Sequence, residues 1–374
     1  MKKILILLGT RPEVIKLAPV INALRLETAF FEIKVCDTEQ HIELKQPILD
    51  FFQIQPDYRL NALSASQSLS SLTAYLLQAL PAVFEDFLPD WILVQGDTTS
   101  ALAGSLSAFY HKIKIAHLEA GLRTHNKWSP FPEEMNRKII THLADLHLTP
   151  TALAAENLLI EGINIAPIQV VGNTVIDALQ FTLQKIQQEE IESITNLKRE
   201  IAPWQEQYTK MILFTLHRRE NLEQHLVEIA QAIEQILQQN DCFVLFPVHL
   251  NPVVRQWASE VAAKCSNLIL TAPLPYEAFV WAMQTCDLIL TDSGGIQEEA
   301  PTLGKPVIVL RDKTERPEAQ QIGIIHQLSI DSQVITRTVF DVLNQKTSQN
   351  MLSNPFGDGK SAERIVTIFR QIIS

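Results

Sequence analysis

Short apolar runs alternate with longer amphipathic stretches along almost the whole chain. Runs rich in Val, Ile and Leu read as buried strands at 3–8, 31–37, 91–95, 113–118, 145–149 and 168–171, and again at 211–216, 242–247, 267–271, 287–291 and 306–310. Between them apolar positions recur at helical spacing, over 12–26, 39–52, 67–80, 98–110, 134–143, 151–161, 223–239, 252–264, 276–284 and 294–303. Strands that are apolar on both sides and alternate with helices predict parallel sheets covered on both faces. The strands are too many for one small sheet, and a Gln-, Glu- and Lys-rich segment at 184–210, which includes Pro203, divides the series. The expected class is therefore α/β, with two Rossmann-like, doubly wound domains at 1–173 and 174–355. A C-terminal helix at 360–373, within the segment 356–374, is expected to pack back on the first domain. Ligands of open α/β sheets bind beyond the carboxyl ends of the strands, so two such sheets facing each other would share a cleft.

Charge narrows the partners. The 374 residues are 46% hydrophobic, enough for packed cores, and carry a net charge of −11 with no long basic block. Nucleic acid and anionic membrane are poor partners for such a chain, so its local cations read as belonging to a site. The apolar start is followed by Gly-Thr-Arg-Pro-Glu where a cleavage site would need small residues. No apolar run approaches the roughly 18 residues that span a bilayer. Cys36, Cys242, Cys265 and Cys286 lack CxxC spacing and read as reduced, mostly buried thiols of a cytoplasmic protein.

Candidate chemistry gathers where strands end. After 288–290 comes Asp292-Ser293-Gly294-Gly295 and at once a helical pattern. Two glycines let backbone approach a ligand, and the N–H groups of a helix start suit a phosphate. Glu298 and Glu299 do not suit the phosphate itself but fit hydroxyls such as those of a ribose. In the other half, Gly9-Thr10-Arg11-Pro12-Glu13 ends the first strand, with Arg11 and Lys16 near the helix start. A tight turn with two solvated cations is the plain alternative. Asp97, Glu119, and Glu133 with Glu134 follow further strands or open a helix, and converging carboxylates can hold an acid and a base in one site. Asp97 could instead cap the helix at 98–110, and Glu133 or Glu134 could merely favour a helix start. Glu119 at the end of a buried strand is costly unless paired. His217, Arg218 and Arg219 end another strand and could meet a leaving phosphate, or form a solvated basic turn. His249 ends the next strand and is as readily a structural histidine; His117 reads as core. HExxH, a Walker A lysine, GxGxxG and GxSxG are all missing, so no metal and no cofactor is expected.

Taken together, GTRPEVIKLAPV, QGDTTSALAGSLSAFY, HLEAGLRT, SPFPEEMNR, GNTVIDAL, HRREN, FPVHLNP, DSGGIQEEAPTLGKPVIVLR, TERPEA and NPFGDG resemble the non-hydrolysing UDP-N-acetylglucosamine 2-epimerase family over nearly the whole chain. The resemblance implies a GT-B fold, a homodimer, and reversible C2 epimerisation of UDP-N-acetylglucosamine to UDP-N-acetylmannosamine for surface polysaccharide. It gives Asp97, Glu119 and Glu133 the acid–base roles and places His217 near the diphosphate. Arg11 and Lys16 then line the N-terminal side of the site. Ser293, Gly294 and Gly295 hold phosphate, Glu299 the ribose, and Arg316 lines the site. Gln40, His41, Arg218 and His249 match groups that bind a second, activating substrate molecule. Glu43 and Ser66 depart from that pattern, where Gln and Arg are common. The alternatives are a 2-epimerase of another UDP-acetamido sugar, such as a diacetamido-uronic acid, and a GT-B glycosyltransferase.

Overall fold

The computed structural model describes residues 1–40, 45–62, 68–164, 166–239, 241–311, 317–320, 323–345 and 354–373. Contacts divide the chain into two units, Met1–Ala178 with Pro355–Ser374, and Leu179–Asn354. In the first unit β1 (Lys2–Leu8), β2 (Phe31–Asp37), β3 (Tyr58–Arg59), β4 (Trp91–Gln95), β5 (Lys114–Leu118), β6 (Leu146–Thr149) and β7 (Ile168–Val170) form one sheet. Its order is β3-β2-β1-β4-β5-β6-β7 and every pairing is parallel. In the second, β8 (Lys210–Thr215), β9 (Cys242–Pro247), β10 (Leu268–Thr271), β11 (Leu288–Thr291), β12 (Val307–Leu310) and β13 (Ile325–Leu328) run β10-β9-β8-β11-β12-β13, again all parallel.

The central strands read as continuous apolar runs because helices cover both faces. Ile4 to Leu8 are fully buried, as are Leu288 to Leu290 and Val307 to Leu310. Each such side chain stabilises the fold by about 1.5–3 kcal/mol relative to exposure. Both sheets reverse their strand order once, between β1 and β4 and between β8 and β11. A crevice opens at such a point, because the helices after the two neighbouring strands leave on opposite faces.

Several elements differ from the sequence expectation for identifiable reasons. β3 has only two residues, and β13 at the sheet edge is half polar, so neither gives a clear apolar run. The helix expected at 67–80 runs from Leu69 to Phe87, through Pro81. The missing N–H costs one helical bond, but Val83, Phe84 and Phe87 beyond it are buried in the core. Of the helix expected at 39–52, residues 46–51 are helical and 41–44 lie outside the described residues. The expected helix 223–239 is two, Arg219–Gln224 and Leu226–Gln239. After β11 the α-helix Gly294–Glu299 tightens to a 3-10 turn at Ala300–Leu303, where Pro301 cannot donate an α-helical bond. The polar segment contains the helix Glu192–Gln207, which buries Ile194, Leu197 and Ile201 on one face. Thr174–Gln188 and Ser332–Asn344 are also helical. The C-terminal helix Ser361–Ile373 belongs to the first unit, where the Phe369 ring meets Trp91 and Phe31 edge-on at 5.8 and 6.3 Å.

Candidate active site

In the first unit, the loops after β1 and β4 meet at the strand reversal. Gly9 is required there by packing, since a Cβ would lie 2.4 Å from Thr38 Oγ1 and 2.5 Å from Ser100 Oγ. The helix Arg11–Arg25 starts immediately, with half-buried Arg11 as its first residue. Glu13, the third residue of the helix, turns back: its Oε2 accepts Thr10 N–H at 2.8 Å, Gly9 N–H at 3.2 Å and the Thr10 hydroxyl at 2.8 Å. Its Oε1 accepts the Thr98 hydroxyl at 2.8 Å, which ties the β1 loop to the β4 loop. Burial raises the Glu13 pKa, the donated hydrogen bonds pull it down, and the balance is about 7.

Lys16 lies one turn beyond Arg11 on the same helix and donates to Glu119 Oε1 at 2.5 Å. The same oxygen accepts Asn173 Nδ2 at 3.2 Å, and Oε2 accepts the Gln95 side-chain amide. Glu119 follows β5 directly, is 8% exposed, and has a φ of +64°, in the left-handed region that a side chain rarely adopts. Such backbone costs of order 1–3 kcal/mol and marks a side chain aimed by its surroundings rather than by local preference. The pairing predicted for a carboxylate at this position is thus present, supplied by a cation 103 residues away.

Asp97 does not cap the following helix; Thr98 does, its hydroxyl accepting Ala101 N–H at 3.0 Å. Asp97 Oδ2 instead accepts Arg137 Nε at 2.7 Å, and Asn136 Nδ2 donates to the Asp97 carbonyl at 2.8 Å. Arg137 and Asn136 sit on the helix Glu133–Leu143, so these bonds hold the start of that helix, with half-buried Glu133, beside the Asp97 loop. The two adjacent glutamates differ in use. Glu134 is fully buried and accepts Thr124 N–H and His125 N–H, each at 3.0 Å, fixing the preceding loop. His117 is core, as its setting implied: its Nε2 donates to the Gly96 carbonyl at 2.7 Å, and burial lowers its pKa to about 4. Gln40 accepts the Ser100 hydroxyl at 2.8 Å. His41, Glu43 and Ser66 lie outside the described residues.

In the second unit the reversal joins the ends of β8 and β11. Asp292, fully buried, accepts His217 Nδ1 at 2.9 Å, His217 N–H at 3.0 Å, Arg218 N–H at 2.8 Å and Asn221 Nδ2 at 3.1 Å. Burial alone would raise its pKa, but the His217 hydrogen bond and charge and the two backbone donors outweigh it, leaving it below the ordinary carboxylate range. His217 itself is exposed, and the His249 ring lies 6.3 Å away, centroid to centroid. Burial, then the neighbouring His217, lowers the His249 pKa. Ser293 precedes the helix that opens with Gly294 and Gly295. A Cβ on Gly295 would meet no heavy atom closer than Ser293 Oγ at 4.0 Å, so the glycine leaves open space over the helix start. Glu299 is buried and accepts the Tyr276 hydroxyl at 3.1 Å. Arg316 lies outside the described residues. Among the described residues, no three His, Cys, Asp or Glu side chains cluster as a metal site.

Sequence reasoning did not single out Gln95, Asn136, Arg137, Asn173, Asn221 or the carboxyl roles of Glu13 and Asp292. Glu13 alone had a local signal, the T-x-x-E spacing of a capping box. The others act on partners far away in sequence.

The model of the UDP-N-acetylglucosamine 2-epimerase family matches residues 24–370. The UDP-N-acetylglucosamine 2-epimerase of Escherichia coli K12 is 44% identical over 371 residues, covering 97% of each chain. A solved structure of the Neisseria meningitidis UDP-GlcNAc 2-epimerase bound to UDP-GlcNAc is similar at a TM-score of 0.90. It is 41% identical, and the match covers 99% of this chain and 100% of that one. The Methanocaldococcus jannaschii UDP-GlcNAc 2-epimerase, solved with UDP-GlcNAc and UDP, gives 0.83 at 35% identity, over 99% and 100% of the two chains. The two doubly wound parallel sheets are of the GT-B class. With the match spanning both sheets and both strand reversals, the chain belongs to the UDP-N-acetylglucosamine 2-epimerase family.

Proposed function

We propose that this protein interconverts UDP-N-acetylglucosamine and UDP-N-acetylmannosamine by inverting C2 of the sugar, without hydrolysing the nucleotide. The observation that carries the chemistry is Glu119, a buried carboxylate held by Lys16, Asn173 and Gln95 on strained backbone at a strand end. A sugar C2–H next to no carbonyl is a very weak acid. Breaking C1–O first develops positive charge at C1 and makes the C2 proton removable. A carboxylate takes that proton, the C2–H electron pair forms the C1–C2 double bond, and the C1–O pair leaves with UDP. Re-addition of the diphosphate oxygen to C1, with a proton delivered to the opposite face of C2, completes the inversion.

Asp97, Glu119 and Glu133 are assigned the proton transfers, which such groups accelerate by about 10²–10⁴-fold. Gly294 and Gly295 offer backbone N–H groups to the diphosphate, Ser293, whose own N–H is held by Thr291 Oγ1 at 2.9 Å, offers its hydroxyl, and His217 faces its developing charge, the usual source of electrostatic stabilisation. Arg11 and Arg316 are assigned to substrate binding and Glu299 to the ribose. Gln40, His41, Arg218 and His249 are assigned to a second, activating nucleotide. Four buried thiols support a reducing compartment such as the cytoplasm, and no described helix is long and apolar enough to cross a membrane. Exposed Phe109 and Tyr110 support association with a second copy, which sedimentation would show as a mass twice that of one chain.

The test is to incubate the protein with UDP-N-acetylglucosamine in D2O and follow the proton NMR spectrum. A manno-configured UDP-sugar with deuterium at C2 is expected. No exchange at C2 would refute the assignment, and free N-acetylmannosamine with UDP would place the chain among hydrolysing enzymes.

A further inference from the structure

We infer that Asp292 is a positioning residue that fixes the tautomer and direction of the His217 ring, so that Nε2 is the nitrogen offered to the diphosphate. The inference rests on the reading of His217 above and deepens it.

The geometry is asymmetric in a way that matters. Asp292 Oδ1 faces His217 Nδ1 at 2.9 Å and also takes the longer branch of the His217 N–H, at 3.2 Å. Oδ2 collects three donors: His217 N–H at 3.0 Å, Arg218 N–H at 2.8 Å and Asn221 Nδ2 at 3.1 Å. Asn221 is itself buried and also donates to the Leu310 carbonyl at 3.1 Å, so its amide orientation is set by β12. A carboxylate only accepts, so Nδ1 must carry its proton towards Oδ1. The second ring nitrogen then points away from the carboxylate, on a side chain that is 38% exposed while Asp292 is fully buried. A bare Nε2 lone pair cannot stabilise phosphate oxygens; once Nε2 takes a proton from solvent, the ring donates Nε2–H to the diphosphate and Nδ1–H to Asp292, whose negative charge favours that doubly protonated form.

The same asymmetry makes Asp292→Asn a sharp perturbation. Three donors demand an acceptor at the Oδ2 position, so the asparagine oxygen goes there and its NH₂ group takes the Oδ1 position. That NH₂ group faces Nδ1 and forces it to accept, which moves the ring proton to Nε2. The longer branch of the His217 N–H to Oδ1 is lost, but the two shorter backbone contacts to the Oδ2 position survive, so the fold is retained while the tautomer is reversed. In the Ser-His-Asp triad of serine proteases, the same Asp-to-Asn exchange leaves the histidine in the wrong tautomer and lowers turnover about 10⁴-fold. Here a loss in kcat of roughly 10²–10⁴-fold is expected, with UDP affinity within about threefold of the parent.

Two measurements test this independently. The first is the long-range ¹H–¹⁵N spectrum of the labelled full chain with a neutral ring, with His217 assigned by its loss in His217→Asn. The parent should show Nδ1 protonated, and Asp292→Asn should show Nε2 protonated. A parent ring protonated at Nε2 overturns the inference even if the variant fails to fold. The second is turnover of UDP-N-acetylglucosamine beside UDP binding by calorimetry. Asp292→Asn keeping turnover within threefold of the parent overturns it too. If the parent itself gives no C2 exchange, the epimerase reading fails, while the tautomer measurement still decides the role of Asp292.

Discussion

The Glu13 carboxyl makes stability depend on pH in a direction opposite to most carboxylates. It is 1% exposed, and burial raises its pKa from 4.5 to about 7 against the pull of its hydrogen bonds. Between those two values the folded protein holds a proton that the unfolded chain releases. Stability therefore falls as pH rises through this window, because the unfolded state binds fewer protons. With pKa values of 4.5 and about 7, linkage gives a loss of about 2–3 kcal/mol between pH 5 and pH 8. That is a large part of the 5–15 kcal/mol that stabilises a typical domain.

Glu13→Gln removes the titration while keeping the contacts. Its amide oxygen can accept the Gly9 and Thr10 N–H groups, and its NH₂ can donate to Thr98 Oγ1, which the hydroxyl allows by turning. The assay is urea unfolding of parent and variant at half-unit steps from pH 5 to pH 8. The fluorescence of Trp91 and Trp128 would report the first unit, with the other tryptophans, Trp204, Trp257 and Trp281, replaced by Phe in both proteins. The stability difference, variant minus parent, should rise by about 2–3 kcal/mol across the range. Parallel curves within about 0.5 kcal/mol, the scatter of independent sites, would show that Glu13 ionises as an ordinary carboxylate and that the burial argument is wrong.

Other outcomes are as specific. Glu119→Gln should lower C2 exchange by about 10²–10⁴-fold, while calorimetry shows UDP binding retained; surviving turnover would remove Glu119 from the proton transfers. Gly295→Ala should leave Tm unchanged or slightly raised, since the new Cβ meets nothing within 4.0 Å and Ala favours a helix by about 1 kcal/mol. UDP affinity should nonetheless fall tenfold or more, because that methyl occupies the space offered to phosphate; unchanged affinity would place the diphosphate elsewhere. All four cysteines are buried, and burial raises Cys242 and Cys286 to about 12. Native protein at pH 8 should leave a disulfide reagent such as Ellman's unreacted for many minutes, with four thiols appearing in denaturant. Rapid native reaction of even one would contradict the described packing.

Most of the architecture was written in periodicity. The runs that became β1, β4, β8, β9, β11 and β12 are apolar without alternation, and only a parallel sheet covered on both faces buries such strands. What failed had weak or conflicting local signal. Tyr58–Arg59 is too short, the His326 and Gln327 positions of β13 are polar, and the helix expected at 67–80 continues through Pro81 because Val83, Phe84 and Phe87 are buried beyond it. At the site, positions after strand ends were readable because loops there carry function. The adjacent Glu133 and Glu134 were not separable, since only the fold brings the Thr124 and His125 N–H groups to the second of them.

By itself, then, the sequence determined two doubly wound parallel sheets, a Gly-rich turn entering a helix in the second, and the family through motifs spread along the chain. Tertiary structure alone decided who meets whom. Lys16 reaches Glu119 because β1 and β5 flank β4, and Asp292 meets His217 because β8 and β11 are neighbours at a reversal of strand order. Hydrophobic period is a local property and survives in one dimension, whereas the partners of a buried carboxylate are set by strand order, which brings together residues 103 and 75 positions apart.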